Sequence, residues 1–243
     1  MIELEAPAKL TLSLRVVGVR DDGYHLLDAE MVSLDFGDRL VVDPSGHGVT
    51  ISEPGSSGPV DAPEDDLVRR ALQAVGRTAS VVVHKSIPRG AGLGGGSADA
   101  AAVLRWAGVT DTATAVALGA DVPFCVRGGR ARVRGIGDEI EPLAYREVVL
   151  TLLTPPVFCS TPAVYRAWDD LGGPEGEYGN DLEPAALVVE PRLAEWRDRI
   201  AEAAGQRPVL AGSGATWFLP GHHAIADALP DAMVALTRTD RPQ

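Results

Sequence analysis

Apolar and polar positions change their period several times along the chain. From Leu10 to Val19 they alternate, the mark of a strand with one buried face. Val32–Leu34 and Arg39–Val42 predict further strands, separated by the turn-forming pair Gly37-Asp38. Residues 43–63 are rich in Pro, Gly and Ser and predict a loop region with one short strand at Val49–Ser52. Between Asp65 and Val75 the apolar positions 67, 68, 71, 72 and 75 fall at helical spacing. A β-branched run over 79–84 predicts another strand, and a glycine-rich loop follows at 88–96. Ser97–Ala107 predicts an Ala-rich helix with Ser97 as N-cap, and Thr112–Leu118 a second helix closed by Gly119. The glycine-bearing stretch 124–141 predicts two short strands joined by a turn.

The pattern restarts near Glu147. A strand is predicted at 148–153, helices at 161–170, 181–188 and 191–204, and a glycine-rich loop at 172–179. A strand–turn–strand at 208–219, a helix at 222–229 and a strand at 232–237 complete the chain. Strands and helices intermix without strict alternation, which predicts an α+β fold. Two lobes are expected, 1–147 and 148–243, meeting near residues 145–150.

Composition narrows the function classes. Among 243 residues, 22 are basic and 34 acidic, a net charge of −12, which argues against a nucleic-acid partner. No apolar run approaches the roughly 18 residues of a membrane helix. Met1-Ile2-Glu3-Leu4-Glu5 lacks the basic and apolar regions of a secretory signal. Cys125 and Cys159 are too few for a disulfide framework or a zinc site. The expectation is a soluble, cytoplasmic protein, a monomer or weak homodimer, acting on a small molecule. Only two basic residues are lysines, Lys9 and Lys85, and Asn180 is the only asparagine. Where background composition removes a residue type, the survivors become candidates for chemistry.

The strongest local signal is Pro88-Arg89-Gly90-Ala91-Gly92-Leu93-Gly94-Gly95-Gly96-Ser97. Five glycines between a strand and a helix let backbone N–H groups converge on an anion at the helix N-terminus, a design suited to phosphates. The Walker pattern fails, because no lysine follows a glycine here. Gly90-x-Gly92-x-x-Gly95 matches the dinucleotide fingerprint, although that motif belongs to the first strand of a parallel sheet. A dinucleotide-binding oxidoreductase therefore stays as an alternative.

Three segments together resemble the galactokinase, homoserine kinase, mevalonate kinase and phosphomevalonate kinase (GHMP) superfamily. They are Ala6-Pro7-Ala8-Lys9-Leu10-Thr11-Leu12, the glycine loop, and Ala211-Gly212-Ser213-Gly214-Ala215-Thr216. Asp22-Gly23-Tyr24-His25, the triple-glycine form Gly94–Ala101 and Gly119-Ala120-Asp121-Val122-Pro123-Phe124 narrow the resemblance to the 4-diphosphocytidyl-2-C-methyl-D-erythritol kinases. The resemblance implies a two-lobed fold, with an N-terminal lobe like ribosomal protein S5 domain 2 and a ferredoxin-like C-terminal lobe. It implies transfer of the γ-phosphate of Mg-ATP to the 2-hydroxyl of the diphosphocytidyl substrate, in non-mevalonate isoprenoid precursor synthesis. The alternatives within the superfamily are a mevalonate- or homoserine-type kinase and a non-catalytic nucleotide-binding homologue.

The resemblance also implies roles. Asp121 would accept or orient the substrate hydroxyl, and Lys9 would neutralise Asp121 and the moving phosphoryl; the two are expected to form an ion pair. Lys85, Pro88, Gly90, Gly92, Leu93, Gly94, Gly95, Gly96 and Ser97 would hold ATP, with Mg²⁺ carried by the nucleotide rather than by assigned ligands. Tyr24, His25, Thr161 and Tyr165 would hold the cytidine, since a free base is gripped by stacking and edge hydrogen bonds. Ser213 and Gly214 would close over the ligand, and Asn180 is either a helix N-cap or a ligand contact. Thr11 is a substrate contact that stands where the family usually has Asn. Ala98 replaces a loop Ser, Asp66 replaces an Asn bordering the nucleotide, and the segment 107–118 is shorter than usual.

Overall fold

The computed structural model describes residues 1–242. Two sheets organise the chain. The N-terminal sheet opens with two long antiparallel strands, β1 (Ile2–Val19) and β2 (His25–Asp43), paired along nearly their whole length. β2 runs unbroken through Gly37-Asp38, where a turn was expected. Its register slips against β1 at Pro7, and a Cβ on residue 37 would come within 2.4 Å of the Ala6 carbonyl oxygen. Glycine here permits a bulge between close backbones rather than a chain reversal. The bulge turns Asp38 wholly inward.

β3 (Gly48–Ser52) and β4 (Val60–Asp61) form one edge of this sheet. Helix α1 (Leu67–Ala74) starts at Asp66, whose carboxylate accepts the Val68 N–H at 2.9 Å. It leads to β5 (Ser80–His84), which lies parallel to β3 and antiparallel to β2. The glycine loop thus leaves a mixed sheet rather than the first strand of a doubly wound parallel one, which removes the dinucleotide-binding alternative. Helix α2 (Gly95–Ala107) follows. Its N-cap is Gly94, in the left-handed region at φ 69°, not Ser97, which sits inside the first turn. Ala98, Ala100, Ala101 and Ala102 are all buried, and their small side chains let α2 lie closely between the sheet and its neighbouring helices.

Helix α3 (Thr112–Leu118) ends at Gly119. Next comes α4 (Val122–Arg127), where strand was expected from residue 124; Pro123 in its first turn supplies a helical start. β6 (Arg130–Gly135) and β7 (Glu139–Pro142) finish the first sheet.

The second sheet is antiparallel, in the order β11 (Met233–Arg238), β8 (Val149–Thr154), β10 (Trp217–Pro220), β9 (Val209–Leu210). α5 (Thr161–Asp170), α6 (Glu183–Val189) and α7 (Arg192–Ala204) accompany it. In place of the helix expected at 222–229 there is one 3₁₀ turn, Ala226–Ala228. Pro230 follows directly and does not continue a helix.

A small core joins the sheets, with Leu10, Leu34 and Leu93 packed against Leu152, Ala211 and Phe218. The free edge of β1 is covered by residues 179–181. Leu14 N–H donates to the Gly179 carbonyl at 2.7 Å, and Asp181 N–H donates to Leu14 at 2.9 Å. Asn180 is a buried junction rather than a helix N-cap. Its amide donates to the Leu210 and Gly212 carbonyls at 2.8 and 2.7 Å, and its Oδ1 accepts from Leu182 N–H at 3.0 Å. Asn180→Ala leaves these groups without partners and is expected to cost about 2–4 kcal/mol. Urea unfolding checks this; a loss below about 0.5 kcal/mol, the usual surface value, contradicts the assignment.

Candidate active site

Lys9 sits on β1 where the strand meets the glycine loop, and its own N–H donates to the Leu93 carbonyl at 3.0 Å. The side chain is buried, with 7% of the residue exposed. Its stem crosses Gly94 so closely that a Cβ there would meet Lys9 Cγ at 2.7 Å. The ammonium then reaches Asp121 Oδ2 at 3.3 Å and donates to Thr11 Oγ1, also at 3.3 Å. Asp121 stands at the N-cap of α4, with its side chain 35% exposed and open to the cavity. An ammonium and a partly open carboxylate in contact form a unit able to receive a proton while balancing charge.

Two cavities flank this pair. The smaller, about 220 Å³, is lined by the loop itself from Ile87 to Gly96 and by Lys85. Pro88, Gly90, Gly92, Leu93, Gly94, Gly95 and Gly96 all face it. Left-handed backbone at Gly90, Gly92 and Gly94 gives the loop the repeated turns that bring N–H groups to one side. The larger cavity, about 760 Å³, begins at Lys9, Thr11, Ser97 and Asp121 and extends to Tyr24, His25, Thr161, Tyr165 and Ser213. Gly214 faces neither cavity. Its carbonyl instead backs the loop, since a Cβ on Gly92 would meet that oxygen at 2.5 Å. From this position Gly214 supports the loop.

The far end of the large cavity has an aromatic wall. His25 lies 4.7 Å from the Tyr165 ring, centroid to centroid, and 5.5 Å from Trp168 at nearly a right angle. Asp169 fixes the imidazole through His25 Nε2 at 2.8 Å. Burial, with a smaller push from Asp121, raises the Tyr165 phenol, so it stays a neutral donor. Tyr24 is 59% exposed, an aromatic surface left open at the mouth. Thr161 at the start of α5 shares a 2.8 Å hydrogen bond with Ser213, tying the helix to the second glycine turn.

Lys85 is not a free cation. Its ammonium is clasped by Asp38 and by Asp99 Oδ2, the latter at 2.7 Å, directly beneath the glycine loop. Asp38 Oδ1 also accepts from Ile87 N–H at 2.8 Å and from Ser86 N–H at 2.5 Å. A Cβ on Gly95 would lie 3.2 Å from Lys85 Nζ, so the ammonium props the first turn of α2. Lys85 therefore faces the small cavity with its charge largely spent on two carboxylates. Asp66, the family departure, serves as the N-cap of α1, and Ala98 is buried in α2.

Sequence reasoning missed Asp38, Asp99, Arg166 and Asp169. Asp38 stood inside a predicted turn, and Asp99 lay unremarked within the glycine motif. Arg166 follows Tyr165 directly and Asp169 lies one helical turn beyond it, a spacing that could have placed them on the same cavity.

Residues 66–129 match the family of GHMP kinases N terminal domain. A homoserine kinase structure from Cytophaga hutchinsonii shares the fold, with a TM-score of 0.63 at 16% identity over 100% of this chain and 95% of that one. Fold and family model define a GHMP-type small-molecule kinase, a phosphotransferase with ATP as co-substrate. The 4-diphosphocytidyl-2-C-methyl-D-erythritol kinase of Paracoccus denitrificans is 39% identical over 232 residues, covering 88% of this chain and 84% of that protein. A crystal structure of 4-(cytidine 5'-diphospho)-2C-methyl-D-erythritol kinase aligns with a TM-score of 0.77 and 34% identity over 98% of this chain and all of that one. The chain belongs to the 4-diphosphocytidyl-2-C-methyl-D-erythritol kinase family. Among the described residues, no helix is long and apolar enough to cross a membrane.

The buried triad makes a pH prediction. Burial pushes the Asp99 carboxyl from 3.8 up to about 7, against the pull of Lys85 and with help from Asp38. An acid raised on folding contributes stability that is full below the unfolded value and is lost as pH rises through the folded one. Asp99→Asn removes that loss. Its melting temperature relative to the unmutated chain is expected to rise between about pH 4 and about pH 8. Melting curves that keep a constant offset across that window contradict it.

Proposed function

We propose that the chain transfers the γ-phosphoryl group of ATP to the 2-hydroxyl of 4-diphosphocytidyl-2-C-methyl-D-erythritol. The observation that carries this reading is the Lys9–Asp121 contact at 3.3 Å, set between a loop that fits phosphates and a cavity that ends in aromatic rings. The sugar-alcohol end of the substrate lies at Asp121, and the cytosine lies at Tyr24, His25 and Tyr165.

Asp121 accepts the proton of the 2-hydroxyl as its oxygen bonds to the γ-phosphorus. The bond to the β–γ bridging oxygen breaks, ADP leaves with that electron pair, and the substrate gains a phosphomonoester. Lys9 stays protonated, balancing Asp121 before transfer and the phosphoryl oxygens during it. The loop N–H groups and the start of α2 hold the nucleotide phosphates in line. Ser97, in the first turn of α2, would offer a hydroxyl oxygen to Mg²⁺ arriving on the nucleotide. The metal would neutralise the β- and γ-phosphate charge.

Lys85 acts as a strut for the loop, through Asp38 and Asp99. The break between the two sheets supports a division into lobes at 1–147 and 148–243. A cytoplasmic monomer or weak homodimer that binds no nucleic acid is in keeping with the net charge of −12.

ADP release from Mg-ATP, assayed with the diphosphocytidyl substrate, mevalonate and homoserine in parallel, tests the reading. Turnover is expected with the first alone. Asp121→Asn should lower kcat by about 10²–10⁴-fold, the usual loss for a positioned base. Turnover only with another alcohol, or none with any of the three, sinks the substrate assignment.

A further inference from the structure

Five acidic or basic side chains line the large cavity: Lys9, His25, Asp121, Arg166 and Asp169. Four are matched within the protein. Lys9 contacts Asp121 at 3.3 Å, and Asp169 contacts His25 at 2.8 Å. Arg166 alone has no carboxylate within ion-pair distance among the described residues, although Asp169 and Asp170 stand one helical turn away. It is exposed, on α5, directly after Tyr165 of the aromatic wall.

The position suits an anion. Thr161, Tyr165 and Asp169 recur every fourth residue, so one stripe of α5 runs along the cavity, with Arg166 beside it. A ligand whose base rests on Tyr165 and whose alcohol reaches Asp121 must pass its connecting group along that stripe. The chain carries a net charge of −12, so a polyanion entering the cavity meets an unfavourable general field and needs a local cation. Lys9 is committed to Asp121, which leaves Arg166. Its planar five-donor guanidinium matches phosphate oxygens in paired hydrogen bonds.

The geometry points to Arg166 as the residue that recognises the diphosphate linker of the nucleotide-linked substrate, and so discriminates a nucleoside diphosphate from a bare nucleoside. This rests on the proposed function, because it takes the cavity to hold a cytidine diphosphate group. Asp169 is kept off that anion by its contact with His25.

Calorimetric titration with CDP and with cytidine, the nucleotide site filled by a non-hydrolysable ATP analogue, separates the possibilities. The unmutated chain is expected to bind CDP about tenfold or more tightly than cytidine, as for a charge-assisted contact. Arg166→Ala should bring the two affinities together by weakening CDP alone, and Arg166→Lys should restore part of the difference. The CDP preference should also shrink with added salt in the unmutated chain and not in Arg166→Ala. Equal loss of both ligands in Arg166→Ala, or an unchanged CDP preference, overturns the assignment of Arg166 and leaves the kinase reading standing. Binding of neither ligand by the unmutated chain removes the kinase reading itself, and the inference with it.

Discussion

The side chain of Lys9 reaches Asp121 only because residue 94 has no Cβ. A methyl group there would stand 2.7 Å from Lys9 Cγ, inside any tolerable contact distance. Gly94 also holds the left-handed turn that starts α2. One residue thus fixes the start of the helix, the shape of the loop and the path of the lysine. Three elements far apart in sequence, β1, the glycine loop and α4, meet through that one close approach. The proposed reacting groups are therefore positioned by backbone packing rather than by a mobile side chain, which is the arrangement phosphoryl transfer requires.

The loop is braced from both sides. Beneath it, Lys85 binds Asp38 and Asp99, and Asp38 in turn holds the N–H groups of Ser86 and Ile87. Behind it, the Gly214 carbonyl packs against Gly92, and Thr216 N–H donates to the Ala91 carbonyl at 3.2 Å. The second brace comes from the other sheet, so the relative placement of the two sheets and the loop's shape are one problem. A net charge of −12 is compatible with binding polyanions for this reason. Oriented backbone dipoles and a few placed cations act locally, where the surface charge is screened within about 10 Å.

Much of this was legible in the sequence where local pattern and tertiary demand agree. Helix α5 begins and ends where its periodicity says, and Lys9, Asp121 and the glycine loop lie in motifs that carry their own chemistry. The failures have physical causes. Gly37-Asp38 looks like a turn because both residues favour turns, yet here Gly37 admits a neighbouring backbone and Asp38 meets the buried ammonium of Lys85, the residue after β5. Helix α4 has six residues, too few to show a period, and its Pro123 reads locally as a breaker. Asn180 could be a cap or a contact from sequence alone. Only the meeting of β1 with the segment before α6 makes it a junction. Long-range partners decide each of these positions, and pattern does not reveal them.

The central claim is that one site spans the loop, the Lys9–Asp121 pair and the aromatic wall, and that a single substrate bridges them. A crystal structure with the diphosphocytidyl substrate and a non-hydrolysable ATP analogue bound together addresses it most directly. The account predicts the cytosine against Tyr165 and the 2-hydroxyl oxygen within hydrogen-bond distance of Asp121, about 2.6–3.2 Å. It also predicts the γ-phosphate between that hydroxyl and the glycine loop. A ternary complex with the hydroxyl turned away from Asp121, or with the nucleotide phosphates outside the loop, would contradict it.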